Sequence, residues 1–217
     1  MWSYSRFSPY TDLALAAALT AGGIYFFSGH FTPVRFDLER IEVRIESRQI
    51  HVTGLYRYSN SSWAPSVLTM KVPFPVDADH PEPKGFSLSQ SDERGHAIAE
   101  IVPAVRGGDV SFRQVFRPRE SKWVRLDYVQ QTRVDTARYI LTTTQAWGRP
   151  ITRADFVLYL PRDLNLASSS YPLRESATEG REKFFTFSRT DFYPDRDWVF
   201  TWAPTPVESA SASGRQP

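Results

Sequence analysis

The amino-acid sequence predicts an all-β chain: a two-sheet antiparallel β-sandwich preceded by one N-terminal transmembrane helix. Three observations carry that expectation. Apolar and polar residues alternate with a period of two through most of residues 41–202, the mark of strands buried on one face. No run with the helical period interrupts them, and the 16 prolines and 11 glycines fall mainly between them as turns. Ahead of them, Leu13 to Phe27 contains no charged residue.

That apolar run is the first element. Leu13 to Phe27 alone reaches only ~22 Å, short of the ~30 Å hydrocarbon core of a bilayer. Between its flanking aromatics, from Tyr10 to Phe31, the segment reaches about 33 Å, with Asp12 and His30 near the ends where headgroups solvate them. Trp2, Tyr4, Phe7 and Tyr10 make one interfacial belt, and Tyr25, Phe26, Phe27 and Phe31 the other. A cleaved signal needs no second belt, and its basic n-region would consist of Arg6 and the α-amine alone. The A-x-A matches lie inside the run, so cutting after Ala18 would leave Leu19 to Phe31 as an apolar terminus. Residues 13–31 are therefore expected to be a retained signal anchor behind a short tail, residues 1–12. Ala14, Ala18 and Gly22 recur every four residues and give this helix a face with little bulk, suited to close packing against another membrane helix. Arg6, Arg35 and Arg40 are too few to orient the span by count. A short tail followed by a long domain favours a cytoplasmic N-terminus and an extracytoplasmic domain, periplasmic in a bacterium.

Residues 32–203 form the predicted domain, long enough for a single core. Ile41, Val43 and Ile45 alternate with Glu42, Arg44 and Glu46 as a first strand. Ile50, Val52, Gly54, Tyr56 and Tyr58 make a second, across the hairpin loop Ser47-Arg48-Gln49. Leu68, Met70, Val72 and Phe74 follow, with Pro73 and Pro75 ending the run or placing it at an edge. Further strands are expected at Phe86 to Gln90, Ala97 to Val102, Val110 to Phe116, Trp123 to Gln130, Tyr139 to Thr144, Phe156 to Leu160, Phe184 to Phe187 and Trp198 to Trp202. The sandwich is Ig-like or fibronectin-like by architecture only, because the Cys and Trp spacing of true immunoglobulin domains is missing. From Pro204 the composition turns to Pro, Ser, Ala and Gly, which predicts a flexible tail over residues 204–217.

Composition narrows the chemistry. Cysteine is absent, so disulfides, thiolate metal sites and a Cys nucleophile are excluded. A formal charge of +2 is too small to point to nucleic acid. No G-x-S-x-G elbow, P-loop, G-x-G-x-x-G, H-E-x-x-H or EF-hand loop occurs, so no enzyme, cofactor or metal site is expected. His30, His51, His80 and His96 lie far apart. Two acidic loops, Asp77 to Glu82 and Asp191 to Asp197, have carboxylates spaced as calcium loops use them, but neither matches a defined signature. Asn60-Ser61-Ser62 has the form of a glycosylation sequon.

Two groups of residues point outward to partners. Arg113, Arg117, Arg119, Lys122 and Arg125 gather near Phe116 and Trp123, the mix that interfaces and anionic headgroups favour. Trp63, Trp147, Trp198 and Trp202 raise a sugar-stacking platform, though such rings usually fill a sandwich core. The function expected is a non-catalytic accessory or scaffolding subunit. It is held in the bilayer by its single-pass helix and braces other subunits of a respiratory, photosynthetic or secretion complex. The alternative is an anchored or secreted module that binds a sugar, peptide or cell-wall fragment between its loops. A hydrolase built from dispersed Ser, His and Asp finds no support in the sequence.

Overall fold

The alternation at residues 41–58 becomes a long hairpin, β1 (Val34–Glu46) and β2 (Gln49–Asn60). Its loop is Ser47-Arg48 alone, since Glu46 pairs with Gln49, and both residues sit at positive φ, 42° and 67°. Two-residue hairpin loops favour that geometry, but non-glycine residues adopt it at a cost. The 131–135 loop offsets it: Thr132 donates its N–H to the Arg48 carbonyl, and the Arg48 guanidinium bonds the Arg133 carbonyl at 2.9 Å.

The computed structural model describes residues 32–106 and 109–206. The predicted anchor, with Ala14, Ala18 and Gly22, lies outside the described residues, as does most of the predicted tail. Among the described residues no helix is long and apolar enough to cross a membrane.

Twelve more strands complete the chain: β3 (Ser66–Pro73), β4 (Lys84–Ser91), β5 (Ala97–Glu100), β6 (Ala104–Arg106), β7 (Asp109–Phe116), β8 (Ser121–Gln131), β9 (Thr136–Tyr139), β10 (Ile151–Pro161), β11 (Leu164–Ser169), β12 (Arg174–Glu179), β13 (Glu182–Phe192) and β14 (Trp198–Pro204). The all-β expectation holds, but the sheets differ from it. Among the described residues there are three, not two: an eight-stranded sheet in the order β12-β13-β10-β1-β2-β8-β4-β5, and two small ones, β11-β14-β9 and β3-β7-β6. The large sheet is also not purely antiparallel, because β1 and β10 pair in parallel from Leu38↔Arg153 to Arg44↔Tyr159. Such a pair needs a long crossover, which here is most of the domain.

The small sheets cover one face of the large one, a sandwich-like layering with a single core. Over β10, the Phe156 and Trp198 rings meet edge to face at 5.3 Å, and Trp198 stacks on toward Phe200 at 5.0 Å. Over β8, Phe74 meets Tyr128 at 4.9 Å. Trp198, Phe156 and Phe200 are all buried, each the kind of side chain whose truncation costs about 3–5 kcal/mol.

One predicted strand is replaced. Instead of running to Thr144, β9 stops at Tyr139 and the chain enters a 3-10 turn, Thr142–Trp147. Asp197 explains the break: its Oδ1 accepts the Leu141 and Thr142 N–H groups at 3.0 and 3.1 Å and the Thr142 hydroxyl at 2.8 Å. Gly148, at φ 64°, closes the turn. At the far end β14 runs through Pro204, and Thr205 donates its N–H to the Asp163 carbonyl, so the fold extends just past the predicted boundary at residue 203.

Candidate functional site

A bulge between Phe36 and Leu38 resets the phase of β1, so that both Phe36 and Glu39 face inward with Ile41, Val43 and Ile45. A carboxyl group thereby occupies the buried face of a central strand, with Glu39 only 3% exposed. Tyr56 lies directly across on β2, and Tyr139 reaches in from β9. Tyr139 donates its hydroxyl to Glu39 Oε1 at 3.2 Å, and the Tyr56 hydroxyl lies 2.8 Å from that of Tyr139. Either hydroxyl can be the donor in the second bond. The chain of hydroxyls ends at one carboxyl oxygen. Glu39 Oε2 is buried and has no hydrogen-bond partner among the described residues.

Burial pushes the Glu39 carboxyl up to about 8, and the Tyr139 hydrogen bond only partly opposes it. At neutral pH the group is mainly protonated. Burial likewise drives the phenols of Tyr56, Tyr58, Tyr128 and Tyr139 upward, so all four keep their protons. Gly54, two residues before Tyr56 on the same face of β2, makes this arrangement possible. A Cβ there would stand 2.1 Å from the Tyr56 hydroxyl, so the ring lies back over the glycine.

Glu39 and these tyrosines form part of the wall of a cavity of about 570 Å³ at the seam where the two small sheets meet over the large one. Cavities of that size accept small molecules. The large sheet contributes an aromatic wall: Phe36 stacks on Tyr58 at 4.9 Å, and Tyr58 on Trp147 of the 3-10 turn at 5.6 Å. Leu68, Met70 and Val72 of β3 form the opposite, aliphatic side, and exposed Thr69, Thr143 and Ala146 stand at the rim. Lys71, the other charged lining residue, lies on the exposed phase of β3.

The residues singled out in the sequence lie elsewhere, apart from Trp147. The basic group is divided. Arg113 stands on the exposed phase of β7, and Arg119 lies over the exposed ring of Trp63 at 4.3 Å. Arg117 is in the turn between β7 and β8, its N–H bonded to Glu120 Oε2 at 2.6 Å. The Lys122 ammonium sits 3.9 Å from Glu120 and 5.7 Å from the Phe116 ring. Arg125 belongs to another face altogether, bonded through two nitrogens to Asp127 at 2.7 and 2.8 Å and to the Gly95 carbonyl.

The acidic loops are engaged in structure. Asp77 Oδ1 accepts the N–H groups of Asp79 and His80 and lies 2.8 Å from His80 Nδ1, while His80 Nε2 is 2.8 Å from the Thr136 carbonyl. These bonds hold the Asp77 carboxyl below the usual carboxylate range, chiefly through His80. In the second loop Asp195 pairs with Arg196, and Asp197 caps the 3-10 turn. Among the described residues no three His, Asp or Glu side chains converge as metal ligands would. Asn60 of the sequon form is buried, its amide donating to the Ala64 and Arg117 carbonyls. Trp198 and Trp202 are core residues, Trp63 is 80% exposed, and Trp147 lines the cavity.

Glu39 belongs to no sequence motif, although the sequence holds one signal of it. It shares the parity of Ile41, Val43 and Ile45, which places a carboxylate on the apolar phase of a strand.

No protein-family model matches this sequence, and no curated protein is detectably similar to it. A Legionella pneumophila protein described as a nutrient-binding candidate superposes with a TM-score of 0.61 at 12% identity, over 80% of this chain and 68% of its own. An M1 zinc metallopeptidase from Deinococcus radiodurans gives a TM-score of 0.44 at 12% identity, over 77% of this chain and 42% of the peptidase. The chain thus spans under half the peptidase's length. At these identities the first likeness concerns the fold alone, and the second carries no argument.

Proposed function

We propose that this chain is a non-catalytic binding module that holds a small molecule in the cavity between its sheets. The observation that carries the reading is the cavity itself, about 570 Å³ with an aromatic wall and a few polar groups, the combination that small-molecule sites share. The layers are comparable to Ig-like and fibronectin-like modules in architecture only. In that setting residues 13–31 would tether the module to a membrane and leave the domain on the extracytoplasmic side. The Legionella protein's nutrient-binding description agrees with this reading but, at 12% identity, transfers no ligand.

Ligand-observed NMR with an aromatic and aliphatic fragment set, on the full chain in nonionic micelles, tests it. Thr143→Trp adds bulk at the exposed rim, away from the buried core. Fragments that bind the parent and are lost in the variant support the reading; binding that ignores the variant, or no binding, refutes it.

A second reading is the accessory subunit of a membrane assembly, bracing neighbours through its helix and β domain. Its support is apolar exposure on the free face of β3-β7-β6, where Val67 and Val115 pair across the strands at 51% and 52% exposure. Co-purification of stoichiometric partners with the native chain, reduced by Val67→Lys and Val115→Lys, tests that alternative.

A further inference from the structure

Resting on the binding-module reading, we infer that the cavity selects a compact organic cation of the quaternary ammonium class, held among the aromatic rings of its wall with the Glu39 carboxylate as counter-charge. Three features of the geometry support this choice. Glu39 is the one deeply buried ionisable acid in the wall, and its Oε2 has no partner among the described residues. In the empty site that carboxyl is mainly protonated and neutral, and the carboxylate left when the proton departs needs a positive partner, as buried carboxylates ordinarily have. Tyr58 and Trp147, stacked on one another at 5.6 Å, line the same cavity, and aromatic rings attract cations most strongly where water is excluded. Finally, Oε2 is fully buried, so a ligand meets its charge through space rather than through an N–H bond. A quaternary ammonium has no N–H to leave unsatisfied; a primary amine would lose three donors to an aromatic wall.

Other ligands fit less well. A neutral apolar molecule gains the ring contacts but leaves Glu39 unpartnered. An anion meets no buried base, because the groups facing Glu39 are the phenols of Tyr56 and Tyr58 on β2, Tyr128 on β8 and Tyr139 on β9, and Lys71 lies on the exposed phase of β3. Proton balance follows directly. Glu39 is mainly protonated in the empty cavity, so a bound cation displaces that proton to solvent: the O–H bond breaks, the carboxylate remains, and no other group changes charge.

The probes are choline and its neutral isostere, 3,3-dimethylbutan-1-ol, titrated calorimetrically into the full chain in nonionic micelles at pH 7. Two buffers of different ionisation enthalpy report the proton released. Choline is expected to bind about tenfold tighter than the isostere, with release of most of one proton. Glu39→Gln should abolish both the preference and the release. Equal binding of the two probes, insensitive to Glu39→Gln but lost in Thr143→Trp, would overturn the cation inference and leave the cavity reading standing. Binding of neither probe, with no fragment bound in the cavity, overturns both.

Discussion

Replacing Glu39 by Gln removes an ionisable carboxyl from the interior while preserving volume and an oxygen that accepts the Tyr139 hydroxyl. Its effect on stability depends on pH, with a definite sign. In the unfolded chain this carboxyl ionises near 4.5, whereas in the fold burial holds it to about 8. Below the lower value both states are protonated and Glu39 contributes no pH dependence. Between the two values the folded state binds a proton the unfolded state has lost, so stability falls as pH rises; above about 8 the loss is complete. Across that window the loss is on the order of 5 kcal/mol, at about 1.4 kcal/mol for each pH step. The assay is urea unfolding by tryptophan fluorescence at pH 5 to 9, for the parent and Glu39→Gln. The difference between them isolates this one group, since every other titration is common to both. The variant should gain on the parent steadily from pH 5 to 8 and level off beyond. A difference that stays flat over this range would show that Glu39 is solvated or paired, and the argument built on its burial would fail.

Gly54→Ala places a methyl 2.1 Å from the Tyr56 hydroxyl, so the ring must move and its bond to Tyr139 breaks. A loss of about 1–3 kcal/mol in urea unfolding is expected, and an unchanged midpoint would contradict the packing described. Asp197→Ala strips the acceptor from the Leu141 and Thr142 N–H groups, and amide exchange across 141–147 should accelerate while that of β1 and β2 stays slow. In the predicted anchor, Ala18→Leu with Gly22→Leu should separate the chain from a helix partner during detergent purification; unchanged co-purification counts against helix packing.

The strands that were legible in the sequence are those buried on one face and wet on the other. At Ile41 to Glu46 of β1, Ile50 to Thr53 of β2 and Val124 to Tyr128 of β8 an apolar residue at every second position meets a polar one between, and the structure buries the former. β11, Leu-Asn-Leu-Ala-Ser-Ser, was not legible because it is half-exposed along its length, and β12 lies at the sheet edge. Tyr139 to Thr144 had a strand-like composition, but a side chain from the far end of the domain, Asp197, ends β9 there. The candidate site shows the same limit. The parity of Glu39 was readable, yet Tyr139 lies 100 residues away and the seam above it depends on two sheets whose existence alternation cannot report.

The parallel pairing of β1 with β10 also dictates an order of assembly. The β1–β2 hairpin closes through two residues and can zip early, but the other side of β1 has no neighbour until β10 emerges from the later half of the chain. During that interval a central strand carrying Ile41, Val43 and Ile45 presents an open edge, the kind of surface that recruits other chains. Productive folding is therefore a race between closure over a long sequence separation and self-association, slow by topology. Truncations that end before Pro161 should aggregate rather than form a smaller domain.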